Sequence, residues 1–284
     1  MAKFIPRLKK LKTLKKISLL LLLFSTVTLA SIPIKNTPVP GGIAVIDFKT
    51  NHRNPKAFYR TVPLYVQHIK DDHWQALLGI PLMEKLGKKS ITVKDFSNHI
   101  LEFEIKEHAY EEQHITLKGK KKKYVNPTNT HMQRIKKERL VLSKPRMTFS
   151  AQSLSDGAFT RPVDGPTTSA FGLKRFYNGQ ARRPHAGLDY AGNTGTAVKA
   201  PANGKVLLTG NYFFNGNAIF LDHGQGLVSV YIHLDKHLVK QGQLVKQGDI
   251  IGMVGQTGRA TGPHLHWGIY LNRTAVNPNL LMGE

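Results

Sequence analysis

A chain of 284 residues with 40% hydrophobic content is long enough for one or two domains with real cores, and its composition excludes wholesale disorder. It has no cysteine, which excludes disulfides and thiolate metal sites, so a bound metal would need His, Asp or Glu. The formal charge is +23, and 23 less the seven basic residues of the first thirty still leaves +16; so basic a surface favours a polyanionic partner, whether nucleic acid, anionic lipid or an anionic wall polymer.

Residues 1–30 read as an export signal. A basic region runs to Lys16, the apolar run from Ile17 to Phe24 follows, and small residues lead to Ala30, with Thr28 at the −3 position of a cleavage there. The competing reading is a retained N-terminal anchor, although a span needs roughly 20 apolar residues and Ser25, Thr26 and Thr28 dilute the end of this run. Either way the body of the protein is expected outside the cytoplasm, in the periplasm or cell envelope. Membrane contact is then expected only through this segment, if it is retained.

Residues 31–37 read as a tether. From 38 onward short apolar runs alternate with turn residues: Ile43-Ala44-Val45-Ile46, Val62-Pro63-Leu64-Tyr65-Val66, Trp74 to Ile80, Ser90 to Val93 and Leu101 to Ile105. This spacing predicts a small β-sandwich over 38–123. His52, His68, His73, His99, His108 and His114 are scattered through the region and suggest no catalytic set. Lys118 to Lys123 forms a basic loop, a solvated turn or a contact for an anionic polymer. Asn126-Pro127-Thr128-Asn129 offers a helix start, and Met132, Ile135, Arg139 and Leu142 recur at helical spacing over 130–142 until Lys144-Pro145. This predicts a helical linker over 124–147.

From 148 to 284 glycine and proline become frequent and β-type runs return: Lys205 to Leu208, Ala218 to Leu221, Val228 to Ile232, Ile250 to Val254 and Leu265 to Tyr270. Turns such as Ala202-Asn203-Gly204, Asp222-His223-Gly224 and Lys246-Gln247-Gly248-Asp249 separate them. The fold class expected for the whole chain is all-β.

The chemistry-bearing residues lie in this last part. His185 and Asp189 are four apart with Gly187 between them; His264 and His266 are two apart on an expected strand and so share a face; His233 lies in Tyr231-Ile232-His233-Leu234. Alone, a His-x-x-x-Asp is weak, a His-x-His is moderately suggestive, and His233 reads as a satisfied core histidine. Together in one β-domain they suggest a metal site, because burying several imidazoles and a carboxylate without a partner costs several kcal/mol. Zinc accepts such ligands, and a catalytic zinc keeps three of them and one open position. No His-Glu-x-x-His motif supplies a glutamate base, so histidines would do that work. Asn178, Arg182 and Arg259 lie near these residues, open to substrate contact or to a structural role.

Ser169-Ala170-Phe171-Gly172, the stretch from Asn178 to Asp189, Tyr231-Ile232-His233-Leu234 and the stretch from Thr257 to Trp267 resemble the lysostaphin-type zinc metallopeptidases, the peptidoglycan endopeptidases. The match runs over 148–278. Residues 38–123, through Val39-Pro40-Gly41-Gly42 and Ala76-Leu77-Leu78-Gly79-Ile80-Pro81, resemble the β-sandwich domain that precedes the peptidase in some Gram-negative members. The resemblance implies a two-layered antiparallel β fold with a groove, one Zn²⁺ held by His185, Asp189 and His266, and His233 and His264 as the catalytic pair beside the metal-bound water. It implies hydrolysis of peptidoglycan peptide crosslinks, with D-alanyl–diaminopimelate favoured over glycine bridges.

A second class of function is a non-catalytic peptidoglycan-binding or activator module using the same groove; the intact ligand set counts against it. A lipoyl- or biotinyl-like carrier would account for the glycine-rich turns but leaves His264-Leu265-His266 unexplained. A nucleic-acid partner would account for the charge, and export counts against it.

Overall fold

The computed structural model describes Met1, residues 31–155 and residues 157–283. Apart from Met1, the segment read as an export signal lies outside the described residues. Among the described residues no helix is long and apolar enough to cross a membrane.

The front part is built from β1 (Ile43–Lys49), β2 (Lys56–Tyr59), β3 (Val62–Pro63), β4 (Tyr65–Lys70), β5 (His73–Gly79), β6 (Gly87–Lys94) and β7 (Asn98–Ile105). They form two sheets, in the orders β1-β5-β4 and β3-β2-β6-β7. Ala44, Ile46 and Phe48 from one sheet and Ile91 and Val93 from the other bury a common core, as two faced sheets of period-2 strands require. The single run expected over 62–66 is two strands, and β2 had no counterpart in the sequence pattern.

β1 and β5 are covered on both faces. Ile43 and Leu77 point away from the sandwich core into the largest apolar cluster of the chain, which they share with Leu188, Tyr231 and Trp267. Four successive residues of β5, Ala76 to Gly79, are therefore all buried, which a half-solvated strand would not tolerate. Polar ties cross the same boundary. The Gln225 side-chain amide accepts from Val66 N at 3.0 Å and donates to Val66 O at 3.0 Å. Asn272 Oδ1 accepts from Gly79 N at 3.3 Å.

The chain then leaves the sandwich. β8 (Glu112–Ile115) pairs with a strand some sixty residues downstream, and a 3-10 helix, Gly119–Tyr124, takes the place of the expected basic loop. Helix α1 spans Asn129–Arg146, with Thr128 as its N-cap accepting from His131 N. It passes the expected stop at Lys144-Pro145 by carrying Pro145 in its last turn, where a missing N–H costs one hydrogen bond and the helix ends anyway.

The rest comprises β9 (Thr167–Ser169), β10 (Lys174–Tyr177), β11 (Gln180–Ala181), β12 (Leu188–Ala191), β13 (Ala197–Lys199), β14 (Gly204–Tyr212), β15 (Gly216–Asp222), β16 (Leu227–Leu234), β17 (Lys236–His237), β18 (Leu244–Val245), β19 (Ile250–Met253), β20 (His264–Leu271) and β21 (Thr274–Val276). An eight-stranded sheet runs β18-β14-β15-β16-β20-β12-β9, with β21 paired to β20; β13-β19-β17 forms a second layer, and β11-β10-β8 a small third sheet. The pairing is antiparallel except between β8 and β10.

Alternation sorts the large sheet into two faces. Leu265, Trp267, Ile269 and Leu271 of β20 and Leu188 and Tyr190 of β12 point into the main core. The opposite face carries Phe220, Val230, Ile232 and Tyr270, and Leu142 of α1 packs on it. Glu138 of α1 accepts from Phe213 N at 2.7 Å, and Arg146 lies 5.3 Å from the Tyr270 ring. A cavity of about 680 Å³ remains between helix and sheet.

Candidate metal centre and active site

β12 and β20 are hydrogen-bonded neighbours, and their register sets Asp189 opposite His266. Directly opposed residues of an antiparallel pair project to the same side, so the carboxylate and the imidazole meet without further adjustment. His185 arrives from the segment before β12, pinned by its N–H to Leu173 O at 2.9 Å and by its carbonyl accepting from Gly172 N at 2.8 Å. Its Nε2 lies 3.0 Å from Asp189 Oδ1 and 2.9 Å from His266 Nδ1, and the last two are 2.8 Å apart. Among the described residues this is the one group of three or more such side chains able to hold a metal ion.

The hydrogen bonds and burial around these atoms are those of a group that could hold a metal ion. His185 Nδ1 donates to Ala170 O at 2.6 Å, so Nε2 is the ring nitrogen turned inward towards Asp189 and His266. Burial pulls the His266 imidazole down to about 4, against the pull of Asp189, so the ring is neutral near pH 7. Burial alone would push the Asp189 carboxyl up; the imidazoles of His185 and His266 against it outweigh this and hold the group well below the usual carboxylate range. Two imidazoles and a carboxylate converging on one point fit the donor set of a catalytic zinc, and such convergence is costly without a cation between them.

Arg175 completes the carboxylate. Its guanidinium donates to Asp189 Oδ2 at 2.7 Å, to Ser169 Oγ at 2.9 Å and to Gln113 Oε1 at 2.9 Å. Oδ2 is thus occupied and Oδ1 is left facing the histidines. Sequence reasoning passed over Arg175, which belongs to no motif residue pair. Its place depends on β10 pairing with the distant β8, which also brings Gln113.

Gly187 is required sterically. A Cβ there would lie 2.4 Å from Trp267 O and 2.8 Å from both Cε1 and Nε2 of His266. The backbone of the His185–Asp189 turn passes against the His266 ring, and only glycine permits that approach.

His233 and His264 form a second pair beside the first. Their ring centres are 4.9 Å apart, and His233 stands 6.3 Å from His266. His233 Nδ1 donates to Thr257 O and His264 Nδ1 to Gly262 O, each at 2.8 Å, so both rings keep Nε2 available. Burial holds the His233 imidazole well below its ordinary range, and the neighbouring His264 and His266 add to this.

The alternation of β16 would send His233 into the core, because Tyr231 points there and Ile232 faces the groove. His233 instead adopts φ +65°, uncommon for a residue with a side chain. Ile232 and His233 consequently both line the large cavity, and Leu234 resumes the core face. Thr257 clamps this kink: its Oγ1 accepts from Asn217 N at 2.9 Å and donates to Leu234 O at 2.7 Å.

The remaining candidates separate. Asn178 exchanges hydrogen bonds with Leu117 N and O at 2.7 and 3.1 Å, a structural clamp. Arg182 donates to Val125 O at 3.0 Å. Arg259 lines both the large cavity and a second of about 320 Å³ that includes Asp189 and His264. The front histidines stay apart: His73 pairs with Asp47 at 2.7 Å and His99 with Asp95 at 3.1 Å.

Comparison with known proteins places this geometry in a family. A model described as Peptidase family M23 matches residues 183–278, and one described as Peptidase family M23 N-terminal domain matches residues 36–108. A crystal structure from Pseudomonas aeruginosa assigned to peptidase M23 is 38% identical with a TM-score of 0.73, over 87% of this chain and 96% of that one. The peptidoglycan DD-endopeptidase ShyA of Vibrio cholerae is 41% identical over 124 residues, 42% of this chain and 29% of the relative. The DD-carboxypeptidase/endopeptidase Mpg of Neisseria meningitidis serogroup B is 40% identical over 111 residues, 39% of this chain and 26% of the relative. The chain thus spans less than a third of the length of these curated relatives.

Proposed function

This chain belongs to peptidase family M23, and from that premise we propose that it is a zinc endopeptidase that hydrolyses peptide crosslinks of peptidoglycan. The observation that carries the reading is the mutual approach of His185 Nε2, Asp189 Oδ1 and His266 Nδ1 within 3.0 Å, beside two imidazoles that keep Nε2 available. His185, Asp189 and His266 would hold the metal; His233 and His264 would be the catalytic pair. The names of ShyA and Mpg, DD-endopeptidase and DD-carboxypeptidase/endopeptidase, favour a bond between two D-centres such as D-alanyl–diaminopimelate.

Bound zinc would supply Lewis acidity and acidify a water molecule. The protein's own residues do the rest. Arg175 fixes the Asp189 carboxylate so that one oxygen alone turns inward. Carbonyls of Thr257 and Gly262 fix the tautomers of His233 and His264, so each ring can accept a proton at Nε2 and, once protonated, donate from it. Burial keeps His233 neutral at pH 7 and hence ready to accept. An imidazolium formed beside the scissile bond can then protonate the leaving amine or stabilise the oxyanion.

The working division of the chain is an export segment or anchor over 1–30, a β-sandwich over 38–123, a helical linker over 124–147 and the peptidase over 148–284. The supported location is the periplasm or cell envelope, where the excess of Lys and Arg suits an anionic surface. Purified sacculi incubated with the protein test the activity. Soluble muropeptides should appear, vanish with a chelator and return with zinc, and their masses identify the bond. Binding to sacculi without release would establish the non-catalytic module instead.

A further inference from the structure

Among the described residues no carboxylate pairs with Arg259. Its guanidinium carbon lies over two rings, 4.5 Å from the centre of Tyr177 and 4.9 Å from that of Phe214. The arginines that pair with carboxylates among the described residues are Arg60, Arg134 and Arg175. Burial pulls the Arg259 pKa down; Tyr177 opposes this, while Arg175 and Arg182 add to it. Holding a half-buried cation beside two others is unfavourable unless an anion arrives from outside.

The surroundings point the same way. Arg139, Arg146, Arg182 and Arg183 line the large cavity with Arg259, and its one acid, Glu138, is held by Arg134. The smaller cavity has Asp189 as its acid, held by Arg175. Arg259 lines both cavities, the larger of which reaches His185 and His266 and the smaller Asp189. A guanidinium offers acceptors its N–H edge, the edge that matches a carboxylate with two parallel hydrogen bonds.

We propose that Arg259 is a specificity residue that binds a free carboxylate of the substrate peptide close to the scissile amide. The proposal rests on the endopeptidase reading above. A crosslink from a D-alanyl carbonyl to the side-chain amine of diaminopimelate carries such a group on the carbon that bears the leaving nitrogen. The open end of the acceptor strand carries another. Both are carboxylates, and experiment separates them.

The test uses a synthetic crosslinked peptide in three forms: both carboxylates free, the one beside the leaving amine amidated, and the terminal one amidated. With the zinc-loaded full chain, kcat/KM should fall on the order of 100-fold on one amidated form and stay unchanged on the other, as expected for losing one partner of a desolvated charge pair. The form that falls identifies the carboxylate. Arg259→Gln should lose a similar factor on the free form and no longer distinguish the three, and Arg259→Lys should recover part of the preference. Calorimetric binding of the same peptides to metal-free protein should rank them alike, a readout that needs no turnover. The wild-type arm needs no variant to fold. Equal cleavage and equal binding of all three forms by the wild-type chain would overturn the proposal, as would an Arg259→Gln chain that keeps the wild-type ranking. Failure of zinc-loaded wild type to cleave any form would overturn the endopeptidase reading alone, and the binding ranking would still decide the role of Arg259.

Discussion

Adding a single methyl group at Gly187 should disable the site although Gly187 ligates nothing. The new Cβ would sit 2.4 Å from Trp267 O, and a C···O contact settles near 3.3 Å, so β20 and the His185–Asp189 turn must part by about 0.9 Å. The same Cβ presses on the His266 ring at 2.8 Å, so the ring must turn or withdraw from Asp189 and His185. A misplacement of about 1 Å costs roughly 100-fold in rate, and forcing a methylene into a packed site costs about 1–3 kcal/mol. Gly187→Ala should therefore fold with a lowered melting temperature, bind zinc substoichiometrically, and release muropeptides at about 1% of the wild-type rate or less. Metal analysis after dialysis, thermal melting and sacculus digestion read the three effects. A Gly187→Ala protein with full zinc and wild-type turnover would mean that His266 does not stand against this turn in solution, and the ligand assignment would fall with it.

His264→Ala should abolish hydrolysis with zinc retained, whereas His266→Ala should lose both; metal analysis of the two purified variants separates them, and unchanged zinc in the second refutes its role as ligand. Arg175→Met removes one partner of a buried ion pair, 2.7 Å from Asp189 Oδ2, and should destabilise the metal-free protein by about 3–5 kcal/mol in denaturant unfolding. His223 is fully buried between Asn203 O and Ser229 Oγ, both at 2.7 Å, and burial pulls its imidazole down to about 4. The unfolded chain takes up this proton near pH 6.5 and the native chain only near pH 4, so the unfolded state binds more protons between them. The His223 contribution is complete above pH 6.5 and declines towards pH 4, by about 3 kcal/mol in all. Denaturant melts across that range should show a shallower loss for His223→Gln, and equal slopes would sink this account.

The strands of the large sheet were legible because their apolar residues are sorted by a period of two, as Leu265, Trp267 and Ile269 show against His264 and His266. The ligand candidates were legible because each sits in a short, chemically odd stretch. What the sequence hides is pairing. Nothing local says that Asp189 stands opposite His266, or that β8 runs beside β10 and so brings Arg175 and Gln113 to the carboxylate. Ala76 to Gly79 reads as an ordinary strand until the second buried face is seen. α1 runs past Lys144-Pro145 because a proline one residue from the helix end removes only its own N–H bond to the preceding turn. Asn178 and Arg259 looked alike in sequence, and only the structure separates a side chain saturated by Leu117 from one flanked by rings.

The kink at His233 bears on any attempt to transplant this site. A designer who copied the five side chains onto a regular antiparallel sheet would recover Asp189, His264 and His266 on one surface. His233 would point through the sheet, because regular pleating alternates. What would have to travel with it is a left-handed main-chain residue, strained by about 1–2 kcal/mol, together with the threonine at 257, whose carbonyl takes the His233 ring N–H and whose hydroxyl holds the Leu234 carbonyl. Imidazoles are easily acquired by mutation; a strand that changes face at one residue is not.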